Sequence, residues 1–301
     1  MPTLYTLAET NSKKTIFLIS IFILLILFFG WLFDHFFGSR FFLYLAFILA
    51  ISQSFLSYWY SDKIVLAMTR AKEVKREENL ELYRIVENLC IGAGLPLPKI
   101  YIIDEEQPNA FATGRDKEHA VVAVTRGLLE KLEKTELEGV IAHELSHIGN
   151  RDILLQSVVV VLVAVIGLLS NWFLRMSRFT TLRKREKKEE RGALIFLLFG
   201  ILAAILAPLA AQIIRFAISR KREFLADATG ALITRYPEGL ARALEKISSD
   251  QSQLKVASNF NAHLFIVNPF RGEAKESWFA KLFMTHPPVE ERIKALREMS
   301  L

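Results

Sequence analysis

The chain has 301 residues, 52% of them hydrophobic, with 23 phenylalanines and a formal net charge of +6. A mean hydropathy of +0.28 is high for a soluble protein, and the length allows a core and more than one domain. A single cysteine, Cys90, excludes an internal disulfide and a cysteine-rich metal site, and fits a reducing setting. The positive charge does not argue for nucleic acid, because Lys and Arg ordinarily flank membrane helices. No GxxxxGK(S/T) run occurs, so no nucleotide site is expected.

Four charge-free runs are long enough to cross a hydrocarbon layer of about 30 Å, or nearly so. They are Ile16–Phe33, Phe41–Tyr60, Ile153–Leu174 and Ala193–Ile214. Lys13 and Lys14 precede the first run, but no small-x-small cleavage site follows it, so it reads as an uncleaved anchor. Residues 1–60 are thus a transmembrane hairpin. Residues 61–152 form the first part of a domain outside these spans. In it, Lys75–Gly94 has the apolar spacing of an amphipathic helix, and Lys99–Ile103 and His119–Val124 read as short strands. Between the strands, Pro108–Gly114 is either an open edge, to which a peptide can add as a further strand, or one arm of an ordinary hairpin.

His143 and His147 lie four apart in Ile141–Ile148, so on a helix both imidazoles leave one face and can grip one metal ion. Glu144 sits beside them, placed to take a proton from a water that the metal acidifies. This is the HExxH arrangement of zinc peptidases. Thr135–Glu138 has the form of a capping box that opens this helix, which is expected to run almost directly into the third span. His147 is six residues from Ile153, about 9 Å of helix, which puts the metal close to the membrane surface.

Residues 153–218 form a second transmembrane hairpin, with a basic loop at 175–191 and a Pro208 kink. Residues 219–301 complete the catalytic domain with helices from about 219, over Pro237–Ser249 and from His286, and a strand or turn at Phe260–Pro269. Catalytic zinc takes three protein ligands, and no third histidine follows His147 closely. Glu223, nine residues beyond the fourth span and about 13 Å along a continuous helix, reaches nearly the same depth as His147 and is the candidate third ligand. Asp227, four residues on, shares its face and suits the second nitrogen of a ligating imidazole. Arg220 and Arg222 balance these carboxylates, or polarise a substrate carbonyl, or are plain surface charges near a membrane. His286, ahead of two prolines, is either a donor to a developing oxyanion or a turn residue.

The segments HELSH at 143–147, SRKREFLAD at 219–227, PNAFATG at 108–114 and THPPVEERI at 285–293 resemble the HtpX membrane peptidases of the M48 zinc-metallopeptidase family. The resemblance spans nearly the whole chain. It implies an α-helical membrane protein carrying an α+β gluzincin-type metallopeptidase domain, with a small β-sheet beside the HExxH helix. It implies one Zn2+ on His143, His147 and Glu223, with Glu144 as base and Asp227 behind a ligand. Asn109 and Ala110 would belong to the substrate-binding edge, and His286 and Arg220 would support the active site. It further implies an inner-membrane location, with the catalytic domain facing the cytoplasm, and unfolded or damaged proteins as substrates. A processing protease for one membrane substrate and a non-catalytic zinc-stabilised adaptor or holdase are the rival readings. Homo-oligomer formation is left open.

Charge agrees with that orientation only by a small margin. Twelve basic residues flank the spans on the motif's side (Lys13, Lys14, Lys63, Arg70, Lys72, Lys75, Arg76, Arg151, Arg215, Arg220, Lys221 and Arg222). The other side has nine, Arg40 and the eight of the 175–191 loop.

Overall fold

A computed structural model describes residues 4–183, 201, 205–206, 208–209, 212–214, 219–270 and 287–299. Helices α1 (Leu4–Phe37) and α2 (Phe41–Trp59) form an antiparallel hairpin through a turn in which Gly38 takes φ 65°. Their apolar side chains cover the outside, Ile16 66% and Tyr44 64% exposed, as expected of surfaces that meet lipid. The two helices approach closely at Gly30, where an added Cβ would lie 2.3 Å from that of Ala46. Small residues allow this contact, and van der Waals packing of that kind holds membrane helices together. Among the described residues, three stretches are long and apolar enough to cross a membrane: Thr10–Phe37, Phe41–Trp59 and Asp152–Trp172. Most of the expected fourth span and residues 184–191 of the expected basic loop fall outside the described residues, while residues 175–183 of that loop instead continue the helix Asp152–Arg183.

After α2 the chain turns into α3 (Ser61–Thr69), a strand β1 (Lys72–Glu73) and α4 (Leu80–Ala93), whose cap is Asn79, its side chain accepting from the N–H of Leu82. The amphipathic helix therefore starts five residues later than its apolar spacing suggested, and β1 is an addition to the expected strands. Strands β2 (Lys99–Ile103), β3 (Ala110–Gly114) and β4 (Ala120–Thr125) complete a four-stranded sheet in the order β1-β2-β4-β3. β4, apolar and buried along its whole length, is central: β2 pairs with it in parallel and β3 antiparallel. Thus Pro108–Gly114 supplies both an edge strand and one arm of a hairpin. The β3–β4 turn reaches back to the end of α2, where the Arg115 guanidinium lies 4.6 Å over the Trp59 ring. Tyr58, Trp59 and Tyr60 form an aromatic belt of the kind found at membrane–water interfaces.

A short α5 (Arg126–Lys131) leads to α6 (Lys134–Gly149), which carries the HExxH residues. Its capping box is Glu133 with Glu136, two residues earlier than Thr135–Glu138. Helix α6 is buried on nearly every side, between the sheet, α4, and α9 (Pro237–Ser249). It does not run unbroken into the third span: Asn150 ends it, Arg151 turns left-handed (φ 56°), and α7 (Asp152–Arg183) starts afresh. Helix α8 (Arg220–Thr234) packs along α6, and α10 (Val289–Arg297) closes the far side against α9. Residues 260–269 contain a 3-10 turn, Ala262–Leu264, then an extended stretch in which the Ile266 N–H donates to the Ala110 carbonyl (3.0 Å).

Candidate metal centre

Helix α6 sends His143 and His147 from one face, their rings at 88° with centroids 4.8 Å apart and their Nε2 atoms 3.2 Å apart. From α8, Glu223 brings one carboxylate oxygen 3.9 Å from His143 Nε2 and the other 3.8 Å from His147 Nε2. All three residues are buried. A tetrahedral zinc ion with bonds of about 2.0–2.1 Å holds its donors about 3.3 Å apart, so these three fit one ion with small adjustments. Two imidazoles and one carboxylate are also a donor set that zinc accepts.

The helix pair is held at this spacing by Gly230, where an added Cβ would lie 2.9 Å from the backbone nitrogen of His143. Glu223, Asp227 and Gly230 follow the i, i+4, i+7 spacing, so one stripe of α8 supplies the third donor, a carboxylate behind the first imidazole and the close approach. Asp227 Oδ1 lies 2.9 Å from His143 Nδ1. On the other imidazole, His147 Nδ1 lies 3.1 Å from Asp152 Oδ2. Each ring thus has a carboxylate at its second nitrogen, which selects the tautomer that turns the Nε2 lone pair toward the shared centre.

Burial dominates the electrostatics. It pushes His143 down to about 4, against the pull of Asp227, so this imidazole is neutral. Burial acts the same way on His147, but the bond to Asp152 and the charges of Glu223, Asp152 and Glu144 outweigh it and raise the group to about 9. Glu144 is pushed up to about 7 by burial, the Glu223 charge adding to this, while His147, Arg292 and a bond from the Ala112 backbone partly offset it. A carboxyl poised near neutrality is suited to taking up and returning a proton. Asp227 would rise on burial alone, yet Arg292 holds it at about 2.

The role of Arg292 beneath the site was missed by sequence reasoning. Arg292 is fully buried, forks onto both Asp227 oxygens (2.8 and 2.7 Å), and donates to the Ile266 carbonyl (2.8 Å). Its place within THPPVEERI was the available signal. Asp152 was also missed, because an unbroken helix through 150–151 would not deliver it to His147. Of the two arginines considered at the start of α8, Arg220 is exposed and Arg222 is buried, donating to Asp152 (3.2 Å) and Asn11 (2.9 Å). His286 lies outside the described residues.

Asn109 and Ala110 lie beside the site, but not on an open edge. The Asn109 amide donates to the Val267 carbonyl (3.0 Å) and its oxygen accepts from the Ala110 N–H (3.2 Å), while Ile266 occupies the Ala110 carbonyl. Buried amide groups must be paired, and here the fold itself pairs them. The outward N–H of β3 that meets the catalytic machinery is that of Ala112, toward Glu144.

A third ligand drawn from a second helix separates gluzincins from metallopeptidases that take all their ligands from one segment, and this fold and site are of the gluzincin class. The chain belongs to peptidase family M48, as an HtpX-like zinc metallopeptidase: the model of that family matches residues 76–300. It is 48% identical over 302 residues to a protein named Protease HtpX homolog from Thermoanaerobacter pseudethanolicus, covering 99% of each chain. It is 50% identical over 258 residues to a protein of the same name from Thermococcus sibiricus, covering 85% of this chain and 86% of the relative. Among solved structures, that of S. mikatae Ste24p aligns with a TM-score of 0.47 at 20% identity, over 97% of this chain and 67% of that one.

Proposed function

We propose that this multi-pass membrane enzyme is an endopeptidase of protein quality control, cutting misfolded or damaged membrane proteins on the cytoplasmic side of a cell's inner membrane. The observation that carries the reading is Glu144, a buried carboxyl beside three convergent metal donors that has no use in a purely structural zinc site. In this reading His143, His147 and Glu223 hold the ion. Zinc bound there supplies Lewis acidity, polarising a substrate carbonyl and making a water easier to deprotonate. Glu144 takes the proton from the attacking water as its oxygen bonds to the carbonyl carbon, then delivers it to the amine nitrogen as the C–N bond breaks. Asp227 fixes the His143 ring, and Arg292 keeps Asp227 ionised. Asn109 and Ala110 act by seating β3 against the site, and the substrate strand runs past Ala112. The family resemblance gives His286 and Arg220 as supports of the site, and the place of His286 ahead of two prolines suits it as donor to the developing oxyanion. With no nucleotide motif in the chain, substrates arrive already unfolded or exposed near the bilayer.

The test is cleavage of casein, and of the protein itself, by detergent-purified enzyme stripped with a chelator and then given zinc. Wild type and Glu144→Gln are compared with metal content measured on both. Activity returning only in wild type, with the variant slower by about 10²–10⁴-fold yet holding one zinc, supports the reading. Equal cleavage by both would remove Glu144 from the mechanism, and zinc uptake without cleavage by either would favour the adaptor.

A further inference from the structure

Helix α1 reads as an anchor, yet it places a buried polar residue at the metal site. Asn11, 4% exposed, donates through its amide to Asp152 Oδ1 (2.6 Å) and, at 3.5 Å, to the Asn150 carbonyl. Its own oxygen accepts from Arg222 Nη1 (2.9 Å), which also donates to Asp152 Oδ1 (3.2 Å). The other oxygen of Asp152 faces His147 Nδ1 at 3.1 Å. Asp152 follows the left-handed Arg151 at a break between helices, where the α6 ladder no longer constrains it. Its orientation is therefore set by the two side chains that grip Oδ1, one from α1 and one from α8. A polar residue buried in a membrane-spanning helix is costly unless fully bonded, and these bonds satisfy it.

We propose that the first membrane helix is a positioning element of the zinc site: Asn11 holds Asp152 against His147, so the geometry of the metal depends on α1 being docked. The inference rests on the assignment of His143, His147 and Glu223 as zinc ligands. Asn11 acts through Asp152 and touches neither metal nor substrate. Undocking α1 would loosen one ligand, and the state of the membrane hairpin would thereby be felt at the reaction centre.

The experiment uses the full chain in detergent, with zinc affinity read by chelator competition and the visible spectrum of the cobalt-substituted protein as a geometric signature. The variants are Asn11→Ala, Asp152→Ala, the double variant, and Leu18→Ala, which trims a buried α1 side chain packed against α7 away from the site. Asn11→Ala is expected to weaken zinc binding by about 10–100-fold and to change the cobalt spectrum. Leu18→Ala should leave both near wild type. In the Asp152→Ala background, Asn11→Ala should add little further loss, because the path is already cut. Wild-type affinity and spectrum in Asn11→Ala would overturn the proposal, as would fully additive losses or an equal effect of Leu18→Ala. A wild type that takes up no zinc would overturn the ligand assignment as well, so the two failures are told apart.

Discussion

At the scale of single residues, the centre is a set of ionisable groups whose states are fixed by burial and by one or two neighbours each. His143 is neutral, and its partner Asp227 stays charged because Arg292 forks onto it. His147, raised to about 9, carries a proton at neutral pH that a metal must displace. The sign follows: below about 9 the proton competes with zinc, and the competition eases as pH rises. Apparent zinc affinity should climb by about tenfold per unit between pH 7 and 9 and then level off, as measured by chelator competition. Arg292→Leu leaves Asp227 buried without its counter-charge. It should cost about 3–5 kcal/mol of stability, visible as a lowered Tm of the detergent-solubilised protein, and weaken zinc binding with it.

Among elements, the decisive pair is α6 and α8. The first brings two imidazoles and the base, the second brings Glu223 and Asp227, and Gly230 sets how close they lie. Gly230→Ala puts a methyl group against the His143 backbone in a packed interior, where over-filling costs about 1–3 kcal/mol. The two helices must part by several tenths of an ångström, so the variant should lose zinc affinity as well as Tm. Unchanged affinity at wild-type Tm would show that the approach is not under constraint. The joint between α6 and α7 matters for the opposite reason, because the turn at Arg151 is what swings Asp152 back toward His147.

Across the whole molecule, the candidate metal centre lies beside the start of α7, where Asp152 meets His147, and beside α1, whose Asn11 reaches Asp152. The β3–β4 turn, with Arg115 stacked on Trp59, marks the interface on the catalytic side. If that side faces the cytoplasm, a cysteine placed at the exposed Glu118 should react with a membrane-impermeant maleimide only after the cells are opened. The natural Cys90 is buried and is replaced by Ala in this experiment, to leave one reporter. Labelling of Glu118→Cys in intact cells would invert the orientation.

The ligand set was legible in the chain because helical periodicity is local. The four-residue spacing of His143 and His147 determines that they share a face, and counting along the chain from two apolar runs pointed to Glu223, although neither helix is continuous with its run: α6 ends at Asn150 and α8 starts after the extended Ser219. The first three apolar runs, the strands read at Lys99–Ile103 and His119–Val124, and the helix Pro237–Ser249 were readable for the same reason. What the tertiary structure alone decided depends on contacts between distant segments. Arg292 lies 65 residues from Asp227, and Asn11 lies 141 from Asp152. An arginine in an exposed-looking helix and an asparagine ahead of an apolar run carry no local pattern that marks them as buried. Asn109, which the family resemblance placed on the substrate-binding edge, is bonded through its amide to Val267, 158 residues away, a contact that no local pattern announces. Side-chain spacing reports which residues share a face, and only the packed fold reports what that face meets.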